Sequence, residues 1–317
     1  MDFTDEADSD LAPVVAPTTQ KGDVMPEVAL ITVHGMGQTP RDYAAPLFDK
    51  VRDRLGDLRG GLDCGAVYYQ DLLQDNESKI WEDTRREGKV HYEDLRKFLL
   101  FGFGDAAGLE NRKEDDGSVY EKAQGRIARQ LLAAYEAGRG KRPMPVMFLS
   151  HSLGCQVLSS YIYDAQRALE ADAPQPQAGI WKNIDGWSLA EPGIERALTL
   201  DEKSYIAAEQ CMAWITTGCN IPIFVAAHDE MKIRPIRRPK VGNFRWLNIY
   251  DPDDALGWPL QPLKCGYETL VEDRAINAGQ GMINWLLKSW NPMSHTLYWD
   301  DDDVLDPLTH MLRLLIA

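Results

Sequence analysis

The sequence predicts an α/β fold in which helices cover both faces of a mostly parallel sheet, and three observations lead to it. Apolar, β-branched runs recur along the 317 residues with helical patterns between them. The first run, Val28 to Val33, shows no inside–outside alternation, so both of its faces are expected to be covered. Two of the runs stop abruptly in short glycine-bearing turns, His34-Gly35-Met36-Gly37 and Ser150-His151-Ser152-Leu153-Gly154.

In chain order, residues 1 to about 25 lack periodicity and read as a mobile acidic tail, which leaves 26–317 as one domain. Strand Val28–Val33 and its glycine turn lead to a helix from about Tyr43 to Leu55, and Ala66–Gln70 looks like a second strand. Residues from about 71 to 142 are charged and helical in pattern, with one helix near 119–137, and read as an insertion. Within it, Phe98 to Gly104 is an apolar cluster suited to a pocket wall or lid, or to plain packing on the domain. Met144–Leu149 is the next buried strand, and a helix begins directly after Ser152, with Val157, Leu158, Tyr161 and Ile162 at helical spacing. Residues 171–205 read as a second cap segment. Strands are expected at 211–217 and 244–250, an edge element at 263–272, and a closing amphipathic helix from Val304 to Ile316.

Composition removes several function classes. The net charge of −15 argues against nucleic acid as a partner, because nothing offsets phosphate repulsion. The basic stretch Lys232–Lys240 reads as a solvated loop. No apolar run approaches the roughly 20 residues of a membrane span. The acidic start lacks the basic and apolar regions of a secretory signal, so a cytoplasmic location is the expectation. The five cysteines form no C-x-x-C pair and read as buried free thiols. The histidines show no zinc spacing, and Asp300–Asp303 reads as a helix start rather than a calcium loop. No phosphate loop or dinucleotide fingerprint occurs, so no cofactor or metal is expected.

The chemistry centres on Ser152. A buried strand runs straight into a helix with this serine on the turn, and Ser150 and Gly154 supply the small residues that such a turn needs. That is the arrangement of a nucleophile elbow, with serine in place of the usual first glycine; the plain alternative is a helix N-cap serine. In such an elbow the Leu153 N–H, with the Met36 N–H from the earlier glycine loop, would meet the oxyanion of an acyl transfer. His34, Gly35 and Gly37 would shape that loop. Nucleophile, acid and base are expected in this chain order. Of the later histidines, His228 precedes the best acids and His310 falls in the closing helix, which leaves His295 as the base. Asp254, followed by apolar residues that screen it, is preferred as the acid, with Asp251 as its rival. Trp258 and Trp299 are candidates for shaping an acyl pocket.

The set V-H-G-M-G (33–37), S-H-S-L-G (150–154), T-T-G-C-N-I-P (216–222), D-P-D-D-A-L-G-W-P-L (251–260) and M-S-H-T-L-Y-W (293–299) resembles lipase-like α/β-hydrolases, the esterase and lipase superfamily. The resemblance spans residues 28–317 with gaps at the two insertions. It implies an α/β-hydrolase fold with helical cap segments, a Ser152–Asp254–His295 triad, and hydrolysis of a small-molecule or lipid ester. Ser150 and Cys219 depart from the family pattern and leave the substrate class open. A thioesterase or amidase on the same triad, or a non-catalytic binding protein on this scaffold, are the competing expectations.

Overall fold

The computed structural model describes residues 25–316 apart from 74, 89, 139–142, 195, 228–233, 241 and 279–297. The expected parallel sheet is present. Its six strands are β1 (Val28–Val33), β2 (Leu62–Val67), β3 (Val146–His151), β4 (Cys211–Thr217), β5 (Arg245–Tyr250) and β6 (Val271–Ala275). They lie in the order β2-β1-β3-β4-β5-β6, and every neighbouring pair is parallel. After β1 the chain moves outward to β2, then returns past β1 to build β3. The sheet therefore reverses its direction of growth between β1 and β3, and a crevice opens at their carboxyl ends.

Among the described residues the helices are α1 (Ala45–Leu55), α2 (Asp75–Glu87), α3 (Glu93–Glu110), α4 (Val119–Ala137), α5 (Leu153–Ala168), α6 (Ile184–Ala190), α7 (Leu200–Ile206), α8 (Ile221–Val225), α9 (Tyr267–Leu270) and α10 (Asp302–Ile316). One face of the sheet is covered by α1 and α10. There Leu47, Val51 and Leu55 meet Val304, Leu308 and Leu312 over Leu30, Leu149 and Ile215. The other face is covered by α4 and α5, with Ile127, Leu131, Leu158 and Tyr161 over Ile31, Phe148 and Trp214. This two-sided burial explains why β1 reads as a run without alternation. None of these helices is long and apolar enough to cross a membrane.

Several boundaries differ from the sequence expectation. The second strand is Leu62–Val67 rather than 66–70, because Tyr69 leaves the sheet to stack on His34. The late edge element forms as β6, Val271–Ala275. Within residues 71–142, α4 packs directly on the sheet, while α2 and α3 pack on each other above it. The segment 171–205 carries Trp181 and Tyr205 into the core, and the Tyr205 hydroxyl donates to Met144 O at 2.9 Å, at the end of β3 remote from Ser152. Arg237 anchors the basic stretch on Glu209 at 2.7 Å and Glu170 at 3.0 Å, so this loop is held rather than merely solvated. Asp302 and Asp303 occupy the first turn of α10, where the helix dipole favours negative charge, and Asp302 and Asp306 both engage Arg54 of α1.

A buried polar network runs beneath the second helical layer. Trp214 and Trp246, on neighbouring strands, stack with ring centroids 4.1 Å apart. Trp246 Nε1 donates to Thr216 Oγ1 at 3.1 Å, and Thr216 donates to Asn248 Oδ1 at 2.8 Å. Asn248 Nδ2 donates to Asp273 Oδ1 at 2.8 Å. Trp214 Nε1 donates to Ser150 Oγ at 2.8 Å, and that hydroxyl donates to Cys155 Sγ at 3.2 Å. The serine two positions before Ser152 is therefore the acceptor for a buried indole. Ser150→Ala leaves that N–H without an acceptor and is expected to cost about 1–3 kcal/mol in urea unfolding.

Candidate active site

The crevice between β1 and β3 receives the two glycine-bearing turns. Ser152 sits between β3 and α5 with φ 50° and ψ −124°, a left-handed-side backbone that costs a non-glycine residue about 1–3 kcal/mol. Its surroundings hold it there. Ser152 N donates to Thr217 O at 3.0 Å, and Cys155 N donates to Ser152 O at 3.0 Å as α5 begins. The start of α5 then crosses the end of β1 so closely that a β-carbon at Gly154 would lie 2.2 Å from His34 O. The β1 turn is equally close to the serine: a β-carbon at Gly35 would lie 2.7 Å from Ser152 Cβ. The structure thus brings His34, Gly35, Ser152, Leu153 and Gly154 together.

His34 is buried and stacked on Tyr69, with ring centroids 4.1 Å apart. Its Nε2 accepts from Tyr69 N at 3.2 Å, so Nδ1 carries the proton and donates to Gly35 O at 2.8 Å. Burial pushes the ring down to about 4 against a weaker upward pull from the Gly35 carbonyl. A neutral ring with both nitrogens engaged holds the turn. Gly37, at φ 91°, donates its N–H to Asp105 Oδ2 at 2.9 Å. Asp105 is buried on α3, and the Met36 side chain lies against Gly102 of the same helix. The helix carrying Phe98 to Gly104 therefore supports the turn after β1.

A cleft of about 550 Å³ lies above these turns, with Gly35, Met36, Phe98, Phe101, His151 and Trp299 in its wall. Ser152 itself has no exposed surface and lies beneath the part of the wall formed by Gly35 and His151. Trp299 lines the cleft, whereas Trp258 is 45% exposed and does not. His310 is exposed on α10. His228 and His295 lie outside the described residues.

The two candidate acids sit after β5 in different settings. Asp251 Oδ1 accepts from Asp253 N at 2.8 Å and Oδ2 from Ala278 N at 2.9 Å. Burial pushes its carboxyl up against the pull of those two amides. Asp254 Oδ1 accepts from Leu256 N at 2.9 Å, and Oδ2 accepts from the Tyr298 hydroxyl at 2.9 Å. The same hydroxyl accepts from Asp251 N at 2.8 Å, and burial raises the phenol well above its ordinary range. A β-carbon at Gly257 would stand 2.6 Å from Asp254 Oδ2, so this carboxylate is also closely walled.

Three contributors escaped the sequence reading. His151 precedes Ser152 and so falls outside the expected order of nucleophile, acid and base. Its ring lines the cleft, with Nδ1 at 3.1 Å from Thr217 O. Tyr298 stands in the M-S-H-T-L-Y-W segment that carries the resemblance, but nothing in the sequence marked it as a partner of Asp254. Asp105 carried a signal: it is the only acid between Lys97 and Glu110, in an otherwise apolar helical stretch. Among the described residues no group of three or more His, Cys, Asp or Glu is placed to hold a metal.

No protein-family model matches the chain, and no curated protein does. Among solved structures the chain is similar to a protein of unknown function from Agrobacterium tumefaciens, at 14% identity and a TM-score of 0.42, over 93% of this chain and 94% of that one. It is also similar to a Xanthomonas campestris protein placed in the alpha/beta superfamily of hydrolases, at 13% identity and 0.37, over 90% and 98%. A dienelactone hydrolase from Anabaena variabilis is similar at 12% identity and 0.33, over 90% and 84%.

Two outcomes are expected of this geometry. Gly154→Ala places a methyl against backbone oxygens that cannot swing away, so thermal unfolding is expected to show a loss of at least about 2 kcal/mol. His34 stays neutral in the folded chain down to about 4, while an unfolded chain protonates near 6.5. Protonation therefore favours unfolding in that window. The stability is complete above 6.5 and is expected to fall by roughly 3 kcal/mol as the pH drops to 4, read from urea titrations at stepped pH.

Proposed function

We propose that this chain is a serine hydrolase of the α/β-hydrolase type that cleaves a carboxylic ester through an acyl-enzyme on Ser152. The observation that carries the reading is the strained backbone of Ser152 at a strand-to-helix turn, in the crevice where the sheet reverses, with the β1 turn against its side chain. A residue is held at positive φ without glycine where the surrounding fold enforces it, and such strain concentrates at functional sites.

In this reading Ser152 Oγ attacks the ester carbonyl and gives its proton to His295. The Leu153 N–H, at the start of α5, and the Met36 N–H receive the negative charge that develops on the carbonyl oxygen. His295 returns the proton to the leaving alcohol, and water then releases the acid by the same route. Asp254 orients the base. Chain length supports the pairing: His295 precedes Tyr298 by three residues, at most about 11 Å of chain, and the Tyr298 hydroxyl is bonded to Asp254. Asp251 is the weaker acid candidate because both of its oxygens accept from backbone amides that fasten the loop, whereas one Asp254 oxygen accepts from the side chain of Tyr298, three residues from His295 in the sequence. The apolar Phe98 and Phe101 in the cleft wall suit an acyl chain.

The complete burial of Ser152 favours one second reading, a binding protein that keeps the scaffold without turnover. Active-site labelling separates the two. The wild type is expected to take up a fluorophosphonate and to hydrolyse 4-nitrophenyl esters. Ser152→Ala is expected to abolish labelling, and Asp254→Asn to lower kcat about ten-thousand-fold. Asp251→Asn is expected to act mainly on stability. A wild type that remains unlabelled at high probe concentration sinks the hydrolase reading.

A further inference from the structure

The wall of the cleft is largely apolar, with Met36, Pro46, Leu47, Phe98, Phe101 and Trp299 in it. Two side chains of opposite charge interrupt that surface, Lys97 on α3 and Asp300 next to Trp299. Asp300 is matched, because its Oδ1 accepts from Lys50 Nζ at 2.6 Å. Lys97 is not. Its Nζ donates to the neutral Gln38 Oε1 at 2.8 Å and lies 5.7 Å from the centre of the Phe101 ring. Among the described residues no carboxylate pairs with it. An ammonium carries three donors, and Gln38 engages one of them.

The ammonium is placed to meet a ligand. Gln38 and Phe101 both belong to the cleft wall, so the head of Lys97 lies along that wall, and its contact with Gln38 is open to solvent. Gln38 follows Gly35 by three residues, at most about 11 Å of chain, and Gly35 is packed on the Ser152 side chain. One end of the cleft wall thus touches the proposed nucleophile and another carries an unmatched positive charge. The net charge of −15 repels anions at long range, so an anionic ligand gains only where it meets Lys97 directly. A singly charged carboxylate matches one ammonium. A phosphate dianion would leave a charge unmatched against aromatic rings.

We propose that Lys97 determines specificity in this cleft, and that the preferred ester carries a carboxylate at the far end of an apolar acyl chain, as in a monoester of a long-chain dicarboxylic acid. The proposal deepens the ester-hydrolase reading and rests on it for its kinetic consequence; its binding consequence stands apart. The scissile carbonyl lies at Ser152, the methylene chain lies against Phe98 and Phe101, and the carboxylate accepts from Lys97 Nζ.

The test uses the full chain, its Lys97→Met and Lys97→Arg variants, and the mono-4-nitrophenyl esters of suberic, sebacic and dodecanedioic acids. Each is compared with the same ester capped by methyl at its free carboxyl. At the best chain length the wild type is expected to favour the free acid about fivefold in kcat/KM, through KM rather than kcat. Lys97→Met is expected to bring that ratio to one or below, and Lys97→Arg to keep it above one. A wild-type ratio no greater than one at every length, or a ratio that Lys97→Met leaves unchanged, overturns the proposal. A second arm needs no turnover: octanoate, measured against octan-1-ol, is expected to raise the Tm of the wild type more than that of Lys97→Met. An octanoate shift equal in both proteins, or absent from both, overturns the subsite. If the wild type cleaves no ester at all, the hydrolase reading fails by itself and the Tm arm decides the subsite alone. Circular dichroism checks that Lys97→Met is folded, and Lys97→Gln replaces it if it is not.

Discussion

The start of α5 runs against the carbonyls of Val33 and His34, 2.2 Å from where a methyl at position 154 would sit for the nearer of them. Much of the site follows from that crossing. It forces the chain to turn within one residue, which puts Ser152 at positive φ. It also presses the turn after β1 onto the serine side chain, so the proposed nucleophile and the loop proposed to receive the oxyanion share one wall. The neutral, doubly bonded His34 stiffens that wall from behind, and Asp105 ties it to α3 from above. Glycine at 154 and a buried imidazole at 34 are thus two parts of one constraint.

Thr217 joins this arrangement to the rest of the sheet. Its carbonyl accepts from Ser152 N, and its hydroxyl donates to Ser150 O at 3.2 Å. The same hydroxyl accepts from Trp299 Nε1 at 3.1 Å. One residue at the end of β4 therefore couples the elbow to the approach to α10. The loop after β5 makes a parallel connection: Asp251 holds Ala278, and Asp254 holds Tyr298. Both carboxylates grip backbone or hydroxyl groups on either side of the stretch that contains His295.

The sheet was legible in the sequence because its central strands are buried on both faces and carry unbroken apolar runs, as Val28–Val33 and Met147–Leu149 do. The edge strand β2 was misplaced because Asp63 and Gly65 interrupt its pattern, while the aromatic pair Tyr68 and Tyr69 imitates a strand. The sharp strand-to-helix turn at Ser152 was legible from the small residues flanking it. Its support was not, since the Thr217 and Asp105 contacts join residues 65 and 68 positions apart. Lys97 was equally invisible: a lysine near the polar start of a helix carries no mark of whether an acid answers it.

The hydroxyl at position 150 gives this chain a particular inheritance. A glycine there would open the turn as readily, but it would strand the indole of Trp214, which leans on that oxygen. The two positions are therefore free to drift only as a pair, with glycine at 150 tolerable once a ring without an N–H, such as phenylalanine, stands at 214. Relatives of this chain should divide along that line, and the divide would record the packing of an indole rather than any change in chemistry.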